Sequence, residues 1–391
     1  MSEIVISDAV KYVGVDDHEI DLFESQYVVP NGVSYNSYVI LDEKIAVMDT
    51  ADRRVSEQWF ANVAEVLGER KPDYLVVSHL EPDHAANIQN FLERYPEAKI
   101  VGNAKTFAML PQFFEMELAG ERCVVVKEGD ELSLGEHTLV FAMAPMVHWP
   151  EVMVEYEKKE KILFSADGFG KFGALDTEED WACEARRYYF NICGKYGVQV
   201  QALLKKAAAL DISMICPLHG PILKENLDYY IGLYDTWSKY EPESKGIFVA
   251  YASIHGNTAA AAEHFAQMLR DAGAEKVSVA DLSRDDMAEA VEDAFRYDRM
   301  VLACATYDAG LFPCMEDFLS HLKAKNYQKR TVGLIENGSW GPMAAKKMRE
   351  MLEGMKDVTV LEPTVTIKSV MKAENEAGMQ ALADALVKQA K

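Results

Sequence analysis

The chain lacks several things that would have identified it quickly. Its six cysteines, Cys123, Cys183, Cys193, Cys216, Cys304 and Cys314, contain no C-x-x-C pair. That argues against a zinc knuckle, a rubredoxin-type iron site or a cysteine-ligated cluster within these residues, and for reduced, buried thiols. Apolar runs are strand-sized and broken by charge, well short of the ~20 residues that span a bilayer. Positive charge is scarce too, with 40 Lys and Arg against 63 Asp and Glu and a net charge of -23. Phosphate backbones need a basic face, so nucleic acid is not an expected partner. The opening stretch, "MSEIVISDAVKYVGVDD", is acidic and has no basic region leading into an apolar core, so a cytoplasmic location is the default expectation. Histidine is also sparse, 9 in 391 residues.

What is present reads as a globular chain: 49% of residues are hydrophobic and 26% charged. The length fits two domains. "YEPESKG", residues 240–246, is polar and carries Pro242 and Gly246, and the pattern of the chain changes across it. We therefore expect domains at 1–243 and 244–391. Downstream, five apolar strand candidates ("GIFVAYAS", "KVSVADLS", "RMVLACATY", "RTVGLIENGSW" and "VTVLEPTVTI") alternate with five helical segments, which predicts a doubly wound parallel five-stranded sheet. Upstream, short strands dominate the first eighty residues, "CVVVKEGDELSLGEHTLVFAMAP" and "VMVEYEKKEKILFSADGFG" read as hairpins or meanders, and helices return at 180–210 and 226–239. This predicts two sheets covered by helices.

Four of the upstream strand candidates run directly into titratable residues. In "YLVVSHLEPDHAANI", His79, Glu81, Asp83 and His84 fall within six positions. A cap is one reading, with Asp83 capping a helix from about Ala85 and Glu81 favouring its positive end. Capping leaves His79 and His84 unexplained, and neutral imidazole with carboxylate is a ligand set for divalent transition metals. His148 follows "LVFAMAPMV", Asp167 follows "KILFSA" and His219 follows "ISMICPL". Strand-end loops are where a scaffold collects functional groups.

H-x-E-x-D-H at 79–84, "MVHWPEVM", "SADGFG" and "CPLHGPI" together resemble the diiron domain of the flavodiiron proteins, which has a metallo-beta-lactamase-like αββα fold. The wider superfamily usually carries H-x-H-x-D-H and often binds zinc; here Glu81 stands in place of the middle histidine. That exchange adds negative charge and favours iron. The resemblance implies one iron on His79, Glu81 and His148, a second on Asp83, His84 and His219, and Asp167 bridging them. In parts of the family the position of His84 is not a ligand. The 52 positions from Asp167 to His219 are short for the family and imply a trimmed loop. Tyr196, after "NICGK", resembles a tyrosine lining the family's substrate pocket.

"YASIHGNTAAAA" follows the first downstream strand and opens a helix. Its Ser253, Ile254, His255, Gly256, Asn257 and Thr258 place hydroxyls, an amide and a glycine at a helix N-terminus, a phosphate cradle. It has neither G-x-G-x-x-G nor G-x-x-x-x-G-K-[ST]. Thr306, Tyr307, Asp308, Ala309 and Gly310, and Gly338, Ser339, Trp340 and Gly341, sit after two further strands, where ligands of doubly wound sheets bind. The three loops resemble a flavodoxin domain holding FMN, with Trp340 at the place of a tryptophan that lies near flavin and iron. The departures at His255, Glu336 and Asn337 bear on flavin potential.

The resemblance spans nearly the whole chain. It implies FMN and two non-haem irons, reduction of dioxygen to water, of nitric oxide to nitrous oxide, or both, and a separate rubredoxin or similar electron donor. It also implies a head-to-tail homodimer, or a tetramer of paired dimers. Two readings of other classes stand beside it: a zinc-dependent hydrolase with an accessory flavin domain, and an electron carrier whose first domain only holds partners.

Overall fold

The computed structural model describes residues 4–116 and 120–388. The chain forms two compact units, one of Met1–Tyr189 with Val198–Asp235 and the other of Phe190–Gly197 with Thr236–Lys391. The second unit's first strand, Ser244–Ala252, begins where the sequence pattern changes. The segment 190–197 groups with that unit because Phe190 stacks on Phe295, with ring centroids 4.2 Å apart. Among the described residues no helix is long and apolar enough to cross a membrane.

The first unit holds two sheets. One runs, in spatial order, Val10–Tyr12, Tyr38–Ile40, Ala46–Met48, Tyr74–Val76, Lys99–Asn103 and Cys123–Val126, its first two pairings antiparallel and the rest parallel. The other runs Glu131–Ser133, Thr138–Met143, Met153–Glu157, Ile162–Phe164 and Met214–Cys216, with only the last pairing parallel. Cys123–Val126 and Glu131–Ser133 thus belong to different sheets instead of pairing as a hairpin. The chain crosses between them at Gly129, whose φ of 78° suits a residue without a Cβ.

Alternation decides which faces meet. Leu139 and Phe141 point inward while Val140 and Ala142 face out, and Ile162 and Phe164 point inward while Leu163 faces out. The inward set packs against Tyr38, Ile40, Ala46, Met48, Val76 and Val101 of the first sheet in one buried cluster. Full burial of each such side chain contributes about 1.5–3 kcal/mol. Helix Ser56–Leu67 buries Trp59, Val63 and Leu67, a single stripe at helical spacing, and Trp59 packs against Phe91 of helix Ile88–Arg94.

The second unit is a parallel sheet in the order Val277–Asp281, Ser244–Ala252, Tyr297–Tyr307, Thr331–Asn337 and Thr359–Ile367. This is the doubly wound order 2-1-3-4-5, and five helices alternate with its strands. Helix Asn257–Asp271 lays Ala261, Ala262, Phe265, Ala266 and Leu269 on the sheet, its small alanines allowing close approach. A short strand, Gly310–Leu311, folds back on the end of Tyr297–Tyr307.

Candidate metal centre and phosphate-binding cleft

Four strands of the first unit discharge their ligand-type residues at one place. After Tyr74–Val76 the chain delivers His79, then turns at Pro82 into the short helix Pro82–Ala85. Proline is preorganised for a first helical position. The cap reading of Asp83 fails here: the N-cap is Glu81, its side chain makes no cap bond, and Asp83 lies inside the helix with both carboxylate oxygens buried and without a hydrogen-bond partner. Asp167 sits in a tight turn in which Ala166 and Phe169 have φ of 49° and 66°. Any Cβ on Gly168 would come within 2.9 Å of the Ser165 carbonyl oxygen. Such left-handed positions persist where surrounding structure fixes them, and here they aim one carboxylate inward.

The seven predicted ligands fall into two groups. In the first, His79 Nε2 lies 3.3 Å from Glu81 Oε2 and 3.3 Å from Asp167 Oδ2, while His148 Nε2 lies 3.1 and 3.2 Å from the same two oxygens. In the second, Asp83 Oδ2 lies 3.4 Å from His84 Nε2 and 3.2 Å from His219 Nε2, and the two imidazole nitrogens are 3.0 Å apart. Asp167 Oδ1 faces this pair at 3.8 and 3.7 Å. One carboxylate thus turns one oxygen toward each group. Both of its oxygens, both of Asp83 and His148 Nε2 are buried with no hydrogen-bond partner. Buried polar atoms are normally satisfied, so this orphaned set of imidazoles and carboxylates fits a pair of divalent transition-metal ions.

The surroundings orient the ligands. His79 Nδ1 meets Glu151 Oε1 at 2.9 Å, and the Leu80 backbone N–H donates to the same oxygen at 2.9 Å. His219 Nδ1–H donates to the Ser34 carbonyl at 2.7 Å, which leaves Nε2 with its lone pair toward the group. Burial lowers His84 to about 4, with Asp83 opposing and His219 adding to the fall, so its imidazole is neutral, the form that can bind a metal. Burial alone would raise Glu81 and Asp167, yet the facing imidazoles of His79 and His148 hold both well below the usual carboxylate range. Tyr35 presents its ring edge to His84 and His219, and its hydroxyl accepts from Arg54 Nη2 at 2.8 Å. A cavity of about 230 Å³ opens on this side, lined by Glu24, Tyr35, Arg54, Glu81 and Asp83. Burial and the nearby Glu81 push Glu24 up to about 7.

In the second unit a cavity of about 650 Å³, within the usual size for small-molecule sites, opens at the carboxyl ends of the strands. Its wall includes Ser253, Ile254, His255, Asn257 and Thr258 from the first loop, Thr306, Asp308 and Ala309 from the second, and Gly338, Ser339, Trp340 and Gly341 from the third. Gly256 has φ of 87° and precedes helix Asn257–Asp271, which has no side-chain cap bond, so its first N–H groups remain for an anion. Tyr307 and Gly310 pair across the small hairpin beside the cavity. Thr306 Oγ1 accepts from the backbone N–H of Met343 and Ala344 at 3.0 and 3.2 Å, tying the second loop to the third.

Tyr196 belongs to the second unit and the seven residues above to the first. It ends the helical turn Gly194–Tyr196 in the second unit, its ring beneath Lys195 Nζ. Several supporting residues escaped the sequence reading: Glu151, Ser34, Tyr35 and Glu24 around the metal groups, and Ser369 in the cleft wall. Ser369 follows the fifth strand as the other loops follow theirs, the signal that could have found it.

Residues 33–220 match the ODP family beta lactamase and residues 249–381 match flavodoxin. A nitric oxide reductase of Moorella thermoacetica is 28% identical over 386 residues, covering 95% of this chain and 95% of that protein. An anaerobic nitric oxide reductase flavorubredoxin of Vibrio vulnificus is 26% identical, covering 96% of this chain and 77% of that protein. Among solved structures, the rubredoxin oxygen:oxidoreductase of the anaerobe Desulfovibrio gigas superposes with a TM-score of 0.88 at 26% identity, covering 99% of both chains.

Proposed function

This chain belongs to the flavodiiron proteins, with FMN and a diiron centre as its cofactors, and we propose that it reduces dioxygen to water, nitric oxide to nitrous oxide, or both. The observation that carries the reading is Asp167, a buried carboxylate with one oxygen toward each ligand group and no hydrogen bond to either. Held among these residues, two irons would supply redox and Lewis-acid chemistry, and FMN bound in the second unit would supply electrons. Glu81, Asp83 and Asp167 neutralise the metal charge, and Glu151 holds the His79 ring in register. The loops Ser253–Thr258 and Thr306–Gly310 bind and orient the flavin.

The electron donor in this reading is a separate rubredoxin or similar carrier, and the working unit is a head-to-tail homodimer. Support for pairing comes from the cleft wall, where Trp340 is 97% exposed and Ile254 is also exposed. Tryptophan is enriched at protein interfaces, where its ring buries a large area. The roles of Trp340 beside the flavin and of Tyr196 in the substrate pocket rest on the family resemblance. The test is anaerobic: consumption of dioxygen and of nitric oxide is followed separately with chemically reduced rubredoxin as donor. Turnover of either gas supports the reading and the two rates name the preferred substrate; an iron-loaded, flavin-loaded protein that consumes neither refutes it.

A further inference from the structure

The outer face of the second sheet carries an apolar cavity that the ligand set does not use. Its volume of about 30 Å³ exceeds the ~10–15 Å³ that a single water-sized guest needs. Ala142, Val154 and Leu163 form its floor on the strands, and Val200, Leu203 and Ala207 of helix Gly197–Ala207 form its roof. Strand register gives it a direction. Tyr156 lies opposite Val140 and Leu163, whereas Val154 lies opposite Ala142, two residues nearer the strand ends. At that nearer end the wall is made by Val147, Ser165, Gly168 and Phe169, the chain neighbours of His148 and Asp167. The inner wall is buried, while Leu203, Ala207 and Leu210 are half-buried.

The cavity offers water nothing. Ser165 Oγ donates to the Gly168 carbonyl at 2.6 Å, Tyr234 Oη accepts from the Phe169 N–H at 2.7 Å, Tyr156 Oη donates to the Asp211 carbonyl at 2.8 Å, and Lys206 Nζ binds Glu128 and the Met143 carbonyl at 2.7 and 2.8 Å. Every polar side chain of the wall is therefore engaged. A water needs two or more polar partners, whereas dry apolar cavities accept apolar guests such as xenon. Dioxygen and nitric oxide are small, nearly apolar and favoured in such surroundings over water.

We propose that this cavity takes up the diatomic gas substrate from solvent and holds it against the loops of His148 and Asp167, an inference that rests on the reductase reading. Xenon-pressurised diffraction of the holoprotein, paired with gas kinetics, tests it. We expect a xenon peak bounded by Val147, Leu163, Phe169 and Leu203. Ala207→Trp fills the cavity, abolishes the peak and raises KM for the gas several-fold, with iron and FMN per chain unchanged; Leu204→Phe serves if that variant does not fold. Ala202→Trp, on the exposed side of the same helix, leaves peak and KM as in the unaltered protein. A turning-over enzyme with no xenon peak, or with an unchanged KM in the filled variant, overturns the proposal while the reductase reading stands. Unaltered holoprotein that consumes neither gas removes both, whatever xenon does.

Discussion

Glu151 is the most informative residue to change, because it touches no expected substrate and its side chain meets one of the expected ligands, His79. Its Oε1 accepts from both His79 Nδ1 and the Leu80 N–H, and its Oε2 is buried without a hydrogen-bond partner. Glu151→Gln keeps the volume and one acceptor but removes the charge. The bond to His79 then falls from a charge-assisted one, worth about 1.5–3 kcal/mol, to a neutral one of about 0.5–1.5 kcal/mol. An amide N–H₂ also lands where Oε2 has no partner, at a further cost of about 1 kcal/mol or more. The weakened bond, about 1–1.5 kcal/mol, fits the lower part of the ~10–100-fold loss of metal affinity that such supporting carboxylates typically command, whereas the unpartnered amide weighs on folding. Equilibrium competition with a coloured iron chelator, read on anaerobic protein, measures it. FMN content must stay unchanged, because the flavin cleft is built from other residues. Iron affinity within twofold of the unaltered protein would refute the idea that Glu151 orients His79 for a metal.

Three further outcomes are expected. Asp167→Asn should lose iron from both positions and abolish gas turnover while the flavin absorbance is retained; loss of a single iron would mean the carboxylate does not bridge. Thr306→Val leaves the Met343 and Ala344 N–H groups without their shared acceptor, so FMN affinity should fall about tenfold at ~1 kcal/mol or more, read by fluorescence titration of flavin-free protein. Trp340→Ala should change unfolding stability by no more than about 0.5 kcal/mol, because the ring is 97% exposed, yet weaken dimerisation in sedimentation experiments; unchanged association would remove Trp340 from the interface.

The residues that meet in the two candidate metal groups stand out in sequence because their segments follow β-prone runs, and parallel strand ends in a layered fold converge on one side. Composition also made the second unit legible, since five strand-helix alternations admit few topologies. Asp83 is ambiguous in sequence because a helix cap and a metal ligand call for the same residue type, and its place inside Pro82–Ala85 removes the cap reading. Glu151 was invisible because its partner His79 lies 72 positions away and nothing local marks the pairing. Ser34 was hidden differently: it acts through its backbone carbonyl, which any residue possesses. The assignment of Cys123–Val126 and Glu131–Ser133 to opposite sheets depends on which edges are free, a property of the assembled sheets that no hairpin pattern encodes. The apolar cavity is likewise a matter of how far helix Gly197–Ala207 stands off its strands.

Anomalous diffraction at the iron and zinc edges, on protein purified without oxygen, tests the central claim most directly. We predict two iron peaks, one among His79, Glu81, His148 and Asp167 and one among Asp83, His84, His219 and Asp167. Two zinc peaks, or a single peak with Asp167 facing only one ion, would contradict it.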